Sequence, residues 1–222
     1  MQKFDTPNPV RTTLAVPAGR LQLIAADRAD TVVEVRPADP ARSRDVKAAE
    51  EIEVGYADGA LRIAARDPKN RLFGPSGAVE ITVQLPAGSP VVIDTADADI
   101  RGVGRLGDLA IEAARATVKV DESSAAQVTV AAGDITLGRL TGSAVVRTQK
   151  GDITVTEAAR GDLDLKTEMG DITVDTAHGS NATLDAGTSY GRVANSLVHD
   201  GGTPDVTVRA TTSHGDITAR AL

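Results

Sequence analysis

The 222-residue sequence contains no cysteine and no tryptophan, and it has only two tyrosines and two phenylalanines. The absence of cysteine excludes disulfide bonds and thiol chemistry. A core of valine, isoleucine, leucine and alanine without large rings suits narrow, stacked layers better than a thick globular centre. The sequence also lacks any run of the ~20 apolar residues that a spanning helix needs, so we expect no membrane span.

A basic segment is missing as well. The 24 lysines and arginines are interspersed among 31 acidic residues, and the net charge is −7. Nucleic-acid binding generally needs a basic footprint, so we expect no nucleic-acid partner, and anionic membrane surfaces are disfavoured for the same reason. The first residues, 1–7, lack the apolar segment and cleavage site of a signal peptide, which predicts a cytoplasmic protein.

The sequence does contain a repeated phrase, Gly-Asp-Ile-Thr, at Gly133–Thr136, Gly151–Thr154, Gly170–Thr173 and Gly215–Thr218. Weaker copies lie between and before these four. The apolar third positions of all copies are Ile100, Val118, Ile135, Ile153, Ile172, Val193 and Ile217. They follow one another at steps of about 18 residues that lengthen towards the end of the chain, which is typical of a repeat architecture.

Each repeat contains two short alternating runs, one before the phrase and one that begins with it. Two strands per ~18 residues, stacked on their copies, predict a β-solenoid. The corner motif consists of Gly133, Asp134, Gly151, Asp152, Gly170, Asp171, Gly215 and Asp216. Glycine allows a positive φ or a close approach there, and aspartate can accept bonds from the backbone that follows. The repeat alone leaves an antiparallel meander open as the alternative.

The region before the repeat has its own pattern. Alternating runs predict short strands over residues 12–36, and Asp39-Pro40 predicts the start of a short surface helix over 41–51. Strands at 52–56 and 61–65 are joined by Asp58-Gly59, a strong hairpin signal. We therefore expect residues 1–90 to form a cap and the first coils, continuous with a solenoid of about seven coils over 91–222, in a single all-β domain.

Residues 79–88 (VEITVQLPAG), followed by several Gly-Asp-Ile repeats, resemble the DUF4097 family, the bacterial β-strand-repeat "putative adhesin" domain. The stretches 26–37, 191–197 and 213–217 are similar to its actinobacterial members. The resemblance covers nearly the whole chain. It implies a right-handed, β-helix-like stack related to toast-rack domains, and it brings no catalytic residues with it.

No catalytic, cofactor or metal site emerges from the residues themselves. The corner aspartates could line a cation-binding edge, but a turn role explains them without a ligand. His178, His199 and His214 lack a zinc-like spacing and are interpreted as turn residues. Gly187–Gly191 (GTSYG) only superficially matches a nucleophile elbow. Charges are scattered over all repeats, and sugar-binding aromatic rings are nearly absent, which argues against an enzyme.

The sequence therefore predicts a non-enzymatic, adhesin-like scaffold that binds an unknown protein partner or itself. A solenoid end exposes unpaired strand edges, and the coil that contains Ile217 is expected to form the open end, so we expect a homodimer or other self-association, end to end or side by side. Within the irregular stretch 67–77, Arg71, Leu72 and Phe73 form a possible partner loop; the plainer alternative is a loop that tucks one phenylalanine against the body. The alternative function is a polysaccharide-binding or polysaccharide-processing enzyme on the same scaffold.

Overall fold

The computed structural model describes residues 1–66 and 77–222, which are almost entirely β-strand. The strands of the N-terminal part are β1 Gln2–Asp5, β2 Arg11–Ala26, β3 Asp30–Pro37, β4 Ile52–Ala57, β5 Ala60–Ala65 and β6 Val79–Pro86. The repeat region contains β7 Val91–Arg105, β8 Leu109–Ser123, β9 Ala126–Ala132, β10 Ile135–Leu140, β11 Ala144–Lys150, β12 Ile153–Ala158, β13 Gly161–Lys166, β14 Ile172–Thr176, β15 Ala182–Tyr190, β16 Val193–Ser196, β17 Val206–His214 and β18 Ile217–Ala221. The one helix of the described residues, α1, is Ser43–Glu50.

These strands form one open sheet that bends into two halves. The first half-sheet has the order β4-β5-β2-β7-β8-β9-β11-β13-β17-β15, and the second half-sheet has the order β1-β3-β6-β2-β7-β8-β10-β12-β14-β18-β16. The long strands β2, β7 and β8 pass through the bend and belong to both halves. Pairing is parallel from β5 and β6 onward, so the fold is a β-solenoid-like stack and the antiparallel meander is wrong.

The core lies on the inner faces of the two half-sheets. In β8, alternate residues from Leu109 to Val120 are buried, but Ala114 and Arg115 are both exposed at the bend. This extra outward residue shifts the alternation by one, so that aliphatic side chains point inward on both sides of the bend. The same doubling occurs in β7 at Ala96 and Asp97.

The last two coils do not follow chain order. The sequence leads one to expect the Val193 coil between those of Ile172 and Ile217, whereas the structure pairs Ile172 with Ile217, and Ile217 in turn with Val193. Strands β17 and β18 are thus inserted between β13–β14 and β15–β16. The outermost coil is therefore 182–196, and the expectation that the Ile217 coil forms the open end is wrong. The repeat spacing predicts which residues stack on one another, but it does not predict the order of the coils in the stack.

At the other end, the pairing switches from parallel to antiparallel. Strand β3 pairs antiparallel with β6, β1 with β3, and β4 with β5. The β4–β5 turn has positive φ at both Asp58 (50°) and Gly59 (75°), as the Asp-Gly signal predicts. The helix begins later than predicted, at Ser43, because Asp39 accepts a bond from the amide of Ala41 in a turn instead of capping the helix. The division of the chain into a cap and a solenoid at residue 90 stays a prediction. Strand β2 pairs both with β6, which precedes residue 90, and with β7, which follows it.

Ion pairs around Asp30 stabilise the edge of this cap, where β1 pairs with β3. Asp30 lies 2.8 Å from Nε of Arg28 and 3.0 Å from Nζ of Lys3. Both bonds lower the pKa of Asp30, to about 2, and the bond from Arg28 has the larger effect. Since the folded-state pKa lies below the value of about 3.9 for an unfolded aspartate, the ionised carboxylate stabilises the fold above about pH 4.

The stabilisation by Asp30 should be lost as the pH falls from about 4 to about 2. We expect Asp30→Asn to lower the free energy of unfolding at neutral pH, and the difference from wild type to vanish near pH 2, as measured by urea unfolding across this range. Asp99→Asn, at an exposed carboxylate on β7, serves as the control. A difference that stays constant with pH would contradict the assigned ion pairs.

The corner glycines should tolerate no side chain. Gly151 has a φ of 143°, and a Cβ on it would lie 2.2 Å from the carbonyl oxygen of Gly133 in the preceding coil. We expect Gly151→Ala to reduce the free energy of unfolding by about 2–4 kcal/mol, since it adds backbone strain to a steric clash. Gly55→Ala is the matched control, because a Cβ there meets nothing within 4 Å. Equal stability of both variants in chemical denaturation would refute the steric argument.

Candidate functional site

The corners stack directly on one another. The four corner glycines have φ between 134° and 152°, and a Cβ on any of them would lie 2.0–2.2 Å from a carbonyl oxygen of the coil below. Only glycine allows both this backbone conformation and this close approach. The glycine ladder therefore fixes the line of the bend.

Each corner aspartate bonds to the next coil. Oδ1 of Asp134 accepts the amide of Asp152 at 3.0 Å, and Oδ1 of Asp152 accepts the amide of Asp171 at 2.8 Å. Oδ1 of Asp171 in turn accepts the amide of Asp216, at 2.7 Å. In the outermost coil Arg192 donates to Asp216 through its guanidinium and its amide. The guanidinium bond, followed by the amide bond, lowers the pKa of Asp216, and the guanidinium bond raises the pKa of Arg192. These carboxylates accept hydrogen bonds from amides of the neighbouring coil, whereas the sequence predicted bonds from the backbone that follows each aspartate.

Threonine hydroxyls add a second ladder that the sequence interpretation missed. Thr167, Thr188 and Thr212 each donate to the carbonyl oxygen of a corner glycine in a neighbouring coil, at 3.0 Å. All three lie five residues before an apolar marker. The sequence has small or β-branched residues at that position in every repeat. The recurrence of threonine there in the last coils is the pattern from which this hydroxyl ladder could have been predicted.

The seven aliphatic marker residues lie in one column. Ile135 pairs with Val118 on one side and with Ile153 on the other, and the column continues through Ile172 to Ile217 and Val193. All are buried except Val193, which is 46% exposed in the outermost coil. The column forms the inner face of the second half-sheet.

The histidines are spread over the outer end of the stack. Nδ1 of His178 lies 2.6 Å from the carbonyl oxygen of Leu222, and His199 bonds to the side chain of Asn181. His214 stacks on Tyr190, with ring centroids 4.9 Å apart. Across the described residues no three His, Asp or Glu side chains are grouped to hold a metal ion. The possible partner loop of Arg71, Leu72 and Phe73 lies outside the described residues.

A groove with a volume of about 830 Å³ lies on the outer face of the first half-sheet, just before the bend. It runs across the strands from β5 to β13. Small side chains line one half of it, including Ala96, Ala113 and Ala114. No described residue that lines the groove is aromatic.

One row of side chains follows this groove from strand to strand. Asp94 pairs with Glu112, Glu112 with Thr129, Thr129 with Arg147, and Arg147 with Lys166, and all five are exposed. Neighbouring members of the row are about 4.8 Å apart, which is the spacing of adjacent parallel strands. Two acids lie at one end of the row, two bases at the other end and a neutral threonine at the centre. We call these five residues the charged row. Sequence reasoning missed it, because its members are 17–19 residues apart and meet only through the register.

Comparison with known proteins agrees with this architecture. A family model described as Toastrack DUF4097 matches residues 10–220. A crystal structure of a putative adhesin from Bacteroides fragilis NCTC 9343 has a TM-score of 0.54 at 15% identity, covering 98% of this chain and 95% of that one. A putative adhesin from Parabacteroides distasonis ATCC 8503 (TM-score 0.47, 12% identity, 98% and 95% covered) and a putative cell adhesion protein from Clostridium sporogenes ATCC 15579 (0.40, 14%, 100% and 98%) are more distant. At these identities the likeness shows the fold alone.

No curated protein matches the sequence. In the part of the chain that the structure describes, no helix is long and apolar enough to cross a bilayer.

The aspartate ladder should act without a cation. We expect Asp152→Ala to cost about 1 kcal/mol of unfolding free energy, like the loss of a helix N-cap, because the amide of Asp171 loses its acceptor. Asp152→Asn keeps the acceptor oxygen and should cost less. The melting temperature of the wild type should not respond to calcium or to EDTA, whereas a clear calcium-dependent rise would favour a cation-binding edge.

Proposed function

The chain belongs to the Toastrack DUF4097 family, and on that premise we propose that it is a non-enzymatic, adhesin-like scaffold that binds a protein, either a partner or itself, through the outer face of the first half-sheet. The observation that carries the proposal is the charged row, which presents one exposed side chain per strand at the regular spacing of the sheet. Binding faces of this kind gain specificity from complementary charge. The cytoplasmic location stays a prediction.

The alternative, a polysaccharide-processing enzyme, draws on the same groove. Asp94 and Glu112 are neighbours in it, at about the strand spacing of 4.8 Å, close to the separation of paired carboxylates in retaining glycosidases. However, the charged side chains follow one another along a line and do not converge on a point, and the described lining offers no ring on which a sugar could stack. The geometry therefore favours a protein ligand.

A photo-crosslinker on this face tests the proposal. We expect benzoylphenylalanine at Thr129, the centre of the charged row, to form covalent adducts with protein in the cells that make this chain. The same substitution at Thr117, an exposed threonine on the second half-sheet, is the matched control. Adducts would be detected as discrete mass shifts on denaturing gels and identified by mass spectrometry.

An adduct of twice the chain mass would indicate self-association, and any other discrete mass would indicate a second protein. Equal labelling at both positions, or none at Thr129, would contradict binding at the first half-sheet. Cleavage of a polysaccharide by the purified chain, abolished by Asp94→Asn, would replace the proposal with the enzymatic alternative.

A further inference from the structure

We propose that the partner on this face is a second copy of the chain, packed face to face about a two-fold axis that runs parallel to β9 over Thr129. This inference rests on the proposed function and adds the identity and geometry of the partner. It follows from a symmetry in the charged row. Counted outward from Thr129, Glu112 and Arg147 occupy equivalent places, and so do Asp94 and Lys166.

A two-fold dimer places the same patch of both copies in contact, so the patch must complement itself. A two-fold axis parallel to the strands reverses the row. It brings Asp94 opposite Lys166 of the second copy, and Glu112 opposite Arg147, with Thr129 facing its own counterpart. Each contact occurs twice, which gives four pairs of opposite charge.

Charge disfavours a two-fold axis that runs across the strands. An axis that runs along the stack, across the strands, leaves the row unreversed, so Asp94 would face Asp94 and Lys166 would face Lys166. Opposed like charges at an interface weaken binding strongly. Of these two axes, the row therefore favours the one parallel to the strands.

The neighbouring side chains fit the same axis. The row continues outward to Ala15 on β2 and Thr211 on β17, which are both small and would face each other. Two residues earlier on each strand lies a parallel row centred on Gln127. Its outer positions on β5 and β15 are Arg62 and Asp185, which are of opposite charge. Asp164 and Arg209 would face the uncharged Val92 and Thr13, and the axis opposes no like charges in this row.

Shape supports the arrangement as well. The acidic half of the groove is floored by Ala96 and Ala114, which leaves room for long side chains. Arg147 and Lys166 of the second copy would fill that room. Arg147 already bonds to Asp164 at 3.2 Å, but a guanidinium has five donors and can bind a second carboxylate.

The area is sufficient for a reversible dimer. Seven strands, from β2 to β17, span about 29 Å across the sheet, and six residues along a strand span about 20 Å. Their product is about 580 Å² per copy, or about 1,150 Å² in total, near the lower end of specific interfaces. We therefore expect a dissociation constant of about micromolar order that rises with salt.

Charge reversal in two complementary variants tests the geometry. The all-basic variant is Asp94→Lys with Glu112→Lys, and the all-acidic variant is Arg147→Glu with Lys166→Glu. In sedimentation velocity of the full-length chain, each variant alone should have a dimer dissociation constant raised at least ~100-fold, because all four contacts become repulsive. An equimolar mixture of the two should recover dimers that contain one copy of each. This recovery also shows that both variants fold.

Controls and a distance measurement complete the test. Lys119→Glu reverses one exposed lysine on the second half-sheet and should leave the dimer unchanged, in contrast to Lys166→Glu. The chain has no natural cysteine, so Thr129→Cys provides a single thiol at the axis. Facing sheets lie about 10 Å apart, and a bis-maleimide of that reach should link Thr129→Cys copies efficiently and Thr117→Cys copies poorly.

Two results would overturn the inference. A wild-type chain that stays monomeric at about 100 micromolar would exclude the dimer, while a heterologous adduct at Thr129 in cells would still support the proposed function. A dimer that withstands both charge-reversal variants would show self-association elsewhere, and the mixture would then contain all pairings at random.

Discussion

The structure depends on how closely one backbone coil can lie on the next at the bend. At the four corner glycines a single methyl group would overlap a carbonyl oxygen of the neighbouring coil. This contact sets the strand spacing, keeps the half-sheets in register and leaves the aspartate and threonine side chains in reach of the adjacent coil. The aliphatic column inside supplies the hydrophobic stabilisation, but the corner decides where each coil lies.

Much of this could be predicted from the sequence. Each residue type in the Gly-Asp-Ile-Thr phrase indicates its own position, because glycine and aspartate interact through the backbone at a corner and isoleucine is buried. The Asp58-Gly59 hairpin could be predicted for the same local reason. By contrast, the start of the helix was predicted too early, because Asp39 satisfies a turn amide instead of a helix terminus.

Two features could not be predicted because they depend on contacts between distant segments. The insertion of β17 and β18 breaks the rule that successive repeats are neighbours, and spacing alone carries no information on layer order. The charged row becomes visible only when the register aligns Asp94 with Glu112, Arg147 and Lys166. In the sequence these residues are ordinary surface charges. Only the stacking of the strands arranges them as two acids and two bases on either side of Thr129.

The insertion also has a consequence for how the molecule forms during synthesis. Strands β13 and β15 are made before β17, which lies between them and pairs with both, so until β17 is made β13 has an unpaired edge and β15 lacks its partner. Until residues 206–221 emerge, β15 and β16 have no neighbour to hold them in place. The pairing of β17 with β13 and with β15 can form only after residues 206–214 have been made, so it is a late event. The stack is therefore completed from within, and its outermost layer becomes fixed only when the layer beneath it arrives.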